Sequence, residues 1–63
     1  MTGSERRQEL LQLLSGTQTP ISGTSLAKHF TVNRQVIVQD IALLRAQGHE
    51  VLSPYRGYLI QAS

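Results

Sequence analysis

Residues 33–48, NRQVIVQDIALLRAQG, leave this chain the fewest choices. Asn33 suits an N-cap, because its side-chain oxygen accepts from a free backbone N–H of the first turn. Gly48 suits the residue just past a helix end. Between them, Ile37, Ile41 and Leu44 recur at i, i+4 and i+7, on one apolar stripe. With about 100° between successive residues, Gln35, Gln39, Ala42 and Ala46 take the opposite side and Val38 its edge. The lone acid, Asp40, is expected on the flank beside the stripe. A face that only had to stay in water would carry Glu and Lys. This one carries amides, small side chains and, at its start, Arg34. It suits close contact with a polar surface, and the reading is a DNA recognition helix.

The chain before this helix supplies its support. Met1 to Gly3 are expected to fray. Ser4 is the expected cap of a first helix over residues 5–15, with Leu10, Leu13 and Leu14 inward, Leu11 on the flank and Gly16 as the stop. Pro20 forbids further helix, and Ile21 reads as a one- or two-residue strand. Ser22 caps a short helix over residues 23–29, where Leu26 and Phe30 form an i, i+4 pair. Only Thr31 and Val32 separate Phe30 from Asn33, and so short a link forces a sharp corner.

Beyond Gly48 the period changes. Residues 49–53 and 58–60 favour strand, and Pro54, Tyr55, Arg56 and Gly57 carry turn chemistry between them. A β-hairpin follows, and 61–63 trail off. Helix, short strand, helix, helix, hairpin is the order of a winged helix-turn-helix, mainly α with a small β-hairpin. The expected core is Leu10, Leu13, Leu14, Ile21, Leu26, Phe30, Val32, Ile37, Ile41, Leu44, Val51, Tyr58 and Ile60.

Sixty-three residues make one domain spanning 1–63, and a chain this short buries only about 60% of its unfolded surface. It has no cysteine, so disulfides and thiolate metal sites are excluded. No apolar run approaches the ~20 residues that span a bilayer, and no signal-peptide core is present, so no membrane partner and a cytoplasmic location are expected. The net charge of +2 is unevenly placed. Up to residue 27, Arg6 and Arg7 balance Glu5 and Glu9. From Lys28 onward Lys28, Arg34, Arg45 and Arg56 face only Asp40 and Glu50. That bias is compatible with phosphate.

The run VNRQVIVQDIALLRAQGHEVLSPYRGYLI closely resembles the DNA-binding part of the nicotinate-responsive repressors (the NiaR or 3H-domain regulators). More broadly it is similar to the winged helix at the front of biotin-operon repressors. NRQVIVQDIALLR and RGYL carry the likeness, PISGTSLAKHF fits the same second helix, and residues 5–61 are covered. Asn33 stands where these families often have Ser, and both cap well. The resemblance implies a repressor of NAD-biosynthesis or niacin-uptake genes that acts as a homodimer. It also implies an effector part after Ser63 that binds nicotinate and a metal ion. No cofactor is expected in this chain, which reads as either a fragment of such a regulator or a free-standing domain.

Each candidate contact has a plainer reading beside it. Gln35 and Gln39, one turn apart, suit adenine in the major groove, or are two solvated amides. Val38 suits a thymine methyl, or packs at the core's edge. Arg34 suits phosphate or guanine in the first turn, or is a free surface arginine. Asn33 is foremost a cap. Thr24 and Ser25 at the start of helix 2 suit a phosphate, to which Ser22, Thr24 or Thr31 would add a hydroxyl, or all are ordinary caps and turn residues. Arg56 at the wing tip suits a phosphate or a minor groove, with Tyr55 bracing it, or the wing only closes the core. Lys28 and Arg45 read as ordinary surface bases.

Zinc sites take about three or four protein ligands, and His29 and His49 have no third of matching spacing. No nucleophile–base pair, phosphate loop or carboxylate pair assembles, so no enzyme is expected. Two rivals to the DNA reading remain. One is a winged helix that binds protein. The other is the regulatory front end of a biotin-ligase-type enzyme, which would still bind DNA.

Overall fold

A computed structural model describes residues 1–61; the expected trailing of 62–63 lies outside the described residues. The elements run α1 (Gly3–Gly16), β1 (Ile21–Ser22), α2 (Gly23–Phe30), α3 (Arg34–Ala46) and β2 (Gly57–Tyr58), with a 3-10 turn at Pro54–Arg56. The fold is a winged helix-turn-helix. No described helix is long and apolar enough to cross a membrane.

The first helix begins earlier than expected. Thr2, not Ser4, is its cap. The Thr2 hydroxyl accepts from Glu5 N–H at 3.1 Å, and the Glu5 carboxylate accepts from Thr2 N–H at 2.8 Å. This reciprocal box satisfies two free donors at once, so Gly3 is helical rather than frayed.

Helices α2 and α3 start at Ser22 and Asn33 as expected. Each cap accepts from a backbone N–H three residues on, at 3.1 Å. Both helices close alike. Val32 N–H reaches Ala27 O at 2.9 Å and Thr31 N–H reaches Lys28 O at 3.3 Å. His49 N–H reaches Leu44 O at 3.1 Å and Gly48 N–H reaches Arg45 O at 3.0 Å. The left-handed residue this closure requires is Gly48 (φ 97°) after α3 but Thr31 (φ 57°) after α2. A β-branched residue held there is strained.

The wing departs from a simple hairpin. Its arms meet through one bridge, Leu52 with Leu59, by N–H···O bonds of 2.9 and 3.0 Å. Its return arm, β2, pairs antiparallel with β1 instead, Ile21 opposite Tyr58 and Ser22 opposite Gly57. The tip turns through two successive left-handed residues, Tyr55 (φ 51°) and Arg56 (φ 65°).

Leu10, Leu14, Leu26, Ala27, Ile37, Ile41, Leu44 and Val51 are buried, with Leu13, Ile21, Phe30, Val32, Tyr58 and Ile60 packed against them. The expected core is therefore the observed one, with Ala27 added. Truncating one of its buried leucines to alanine costs about 2–5 kcal/mol. Ile60 N–H donates to Leu14 O at 2.9 Å, tying the last arm to α1. Arg45 is not an ordinary surface base. Its guanidinium donates twice to Val51 O, at 3.1 and 2.8 Å, fastening the wing's first arm to α3.

Candidate nucleic-acid interface

The outward side of α3 is open. Arg34, Gln35, Gln39 and Ala42 are exposed, and Val38 is 45% exposed, which leaves its methyls available. No carboxylate interrupts this side, because Asp40 is turned fully inward. The flank position expected for Asp40 is wrong. It is 1% exposed and lies within the apolar stripe, since Ile37, Asp40, Ile41 and Leu44 step i, i+3, i+4 and i+7. Two arginines of α1 meet it. Arg6 grips both carboxylate oxygens, with Nη2 at 3.1 Å from Oδ1, and Arg7 Nη1 stands 3.3 Å from Oδ1. The Asp40 carboxylate holds the Arg6 guanidinium above its ordinary pKa, chiefly by accepting its hydrogen bonds.

This pairing revises the charge balance read from the sequence. Arg6 and Arg7 serve Asp40, and Glu5 serves the Thr2 cap. Among the described residues Lys28, Arg34 and Arg56 enter no ion pair, and all three are exposed.

Three elements converge at the start of α3. The Arg34 side chain runs across Gly23, the first residue of α2. A Cβ built on Gly23 would stand 3.2 Å from Arg34 Nε and 3.5 Å from Tyr58 Cε2 of β2. Ser22 faces Gly57 across the β1–β2 ladder, so Arg56 at the tip adjoins the start of α2. The Arg34 side chain, the Ser22 cap and the wing residue Gly57, which follows Arg56 in the chain, thus all meet at the start of α2. Tyr58 was expected only as core; its contact beside Gly23 and Arg34 needed the β1–β2 pairing to be seen.

The remaining candidates fall as follows. Thr24 and Ser25 are exposed in the first turn of α2, and Ser22 Oγ lies 3.0 Å from Ser25 Oγ besides capping the helix. Thr31 is exposed, and its backbone is committed to the α2–α3 corner. Asn33 is exposed and caps α3. Tyr55 is 98% exposed and braces nothing, so the bracing expected for Arg56 is absent. The Phe30 ring packs edge-on against His29 at 4.8 Å, and no three His, Asp or Glu side chains gather as a metal site needs among the described residues.

Residues 6–59 match the model of a family described as HTH domain. The chain is 43% identical over 56 residues to the probable transcription repressor NiaR of Thermotoga maritima, covering 89% of this chain and 32% of that protein. It is 42% identical over 59 residues to the transcription repressor NadR of Bacillus subtilis, covering 94% and 33%. The chain therefore spans about a third of the length of these curated relatives. The resemblance read from NRQVIVQDIALLR and RGYL is borne out.

Proposed function

The chain belongs to the helix-turn-helix domain family, and from that premise we propose that it binds duplex DNA sequence-specifically as the DNA-binding domain of a transcriptional repressor. The observation that carries this is the exposed side of α3. It holds two amides, a half-exposed valine and an arginine, and its one acid is sequestered behind it. Helix α3 would lie in the major groove, with Gln35, Gln39 and Val38 at base edges. Arg34, Ser22, Thr24, Ser25 and Thr31 would hold the backbone, with Arg56 and Tyr55 at the flank and Asn33 serving mainly as cap.

The likeness to two transcription repressors supports the regulatory role over catalysis. The resemblance to nicotinate-responsive regulators points to genes of NAD biosynthesis or niacin uptake as targets. On this reading the longer regulator is a cytoplasmic homodimer on paired half-sites. A single domain with about three to five phosphate contacts binds weakly and with a shallow salt slope.

Titration with random duplex DNA, followed by amide chemical shifts, tests the docking. Shifts should concentrate at residues 22–25, 33–39 and 55–57, and affinity should fall with added salt. Shifts gathered around Leu10 and Leu13, or none at all, would overturn it and favour a protein-binding winged helix.

A further inference from the structure

Asp40 is the one acid of α3, and the DNA-facing reading leaves it without a task. A carboxylate taken fully out of water costs several kcal/mol unless its partners restore that loss. Here they do: Arg6 holds it two-pronged, Arg7 adds a third bond, and no buried side-chain polar atom among the described residues is left unpaired. Yet an apolar side chain at the same point of the stripe would pack against α1 with comparable stability. What it would lack is direction. Branched aliphatic contacts such as those of Ile37 and Ile41 accept small changes of roll. A planar guanidinium closed on both oxygens of a carboxylate does not.

Roll matters because the amides stand at the rim of the helix. A helix is about 10–12 Å across, so a roll of about 20° carries a side-chain tip by roughly 2 Å. A base hydrogen bond tolerates a few tenths of an ångström. Gln39 precedes Asp40 directly, and Gln35 lies one turn before Gln39.

We propose that Asp40, clamped by Arg6 and Arg7, is a positioning residue for the reading face: it sets the roll of α3 on α1 so that Gln35, Val38 and Gln39 meet base edges in register. It governs discrimination between sequences, not attraction to phosphate. This inference rests on the DNA-binding reading above.

The test compares the chain with its Asp40→Asn variant on two duplexes. One is the duplex the unaltered chain prefers from a random pool; the other is a scrambled duplex of equal length and composition. Both are measured at one salt concentration, well below the melting temperature. The preference should shrink about tenfold, the size of one spoiled base contact. Affinity for the scrambled duplex should hold or rise, because one negative charge is gone. Loss of fold alone would lower both affinities together.

A second variant, Arg6→Lys with Arg7→Lys, keeps every charge but not the two-pronged grip, and should narrow the preference likewise. If circular dichroism shows Asp40→Asn unfolded, the lysine pair decides. A preference within twofold of the unaltered chain in a folded variant, or an equal loss on both duplexes, overturns the assignment. If the unaltered chain binds no duplex, the DNA reading falls first and this inference with it.

Discussion

Arg34 lies so close over Gly23 that a methyl on that glycine would meet its Nε at 3.2 Å and its Cγ at 3.6 Å. The neighbour is a flexible side chain, so Gly23→Ala should fold with a melting temperature within a few degrees of the parent. The arginine would shift instead. Severalfold weaker binding to duplex DNA, read by fluorescence anisotropy, is the expected result. An unchanged affinity would detach the path of Arg34 from binding.

Gly57 meets a less forgiving neighbour. A Cβ there would stand 2.5 Å from Pro20 Cβ and 3.0 Å from the Pro20 carbonyl carbon, neither of which swings aside. Gly57→Ala should cost about 1–3 kcal/mol, the range for overpacked sites, and loosen the Ile21–Tyr58 pairing. Urea denaturation gives the first quantity and cross-strand nuclear Overhauser effects the second.

Thr31 holds φ at 57° with a branched side chain. Thr31→Gly should stabilise the chain by about 0.5–1 kcal/mol, the relief of a left-handed strain less the added freedom of the unfolded glycine. A lower urea midpoint would mean that the threonine side chain makes a contact worth more than the strain.

The exposed amides and the tip arginine should separate by type of loss. Gln35→Ala and Gln39→Ala leave stability unchanged within about 0.5 kcal/mol. Each should relax preference at one base pair by about 1–3 kcal/mol. Arg56→Ala should weaken all duplexes alike and reduce the salt slope by about one. Competition against single-base operator variants at two salt concentrations distinguishes the patterns.

The cap of α1 sets a pH dependence. Glu5 is held below its ordinary value of 4.5, first by the Thr2 backbone N–H and second by the Thr2 side chain. A carboxylate lowered by folding adds stability that is complete above the unfolded value. That stability is lost as pH falls through the folded one. Melting temperature should therefore drop on acidification below pH 4.5, and Glu5→Gln should flatten that part of the profile.

What the sequence revealed is what neighbours within a few residues decide. Asn33 and Ser22 were legible as caps because a cap bonds three residues ahead. The core was legible because spacing alone sets which side of a helix faces in. The Thr2 cap was also readable, as Thr-x-x-Glu, but Ser4 lay nearer the expected start. Asp40 was misplaced although its i+3 step from Ile37 put it in the stripe, since a charge there makes sense only once Arg6, 34 residues away, is known to meet it. The pairing of β2 with β1 was hidden for the same reason: the partner lies across two helices. The left-handed tip at Tyr55 and Arg56 had no glycine or asparagine to announce it.

Because β2 is stitched to β1 immediately before α2, the Ile21–Tyr58 and Ser22–Gly57 pairs tie the wing to the start of α2 like the joint of a caliper. On the proposed reading that joint sets the span between the two, and a duplex of the wrong width meets it by bending or squeezing. Tracts that resist that deformation would then be penalised at steps no side chain touches, and the stiffness of the operator becomes part of its address.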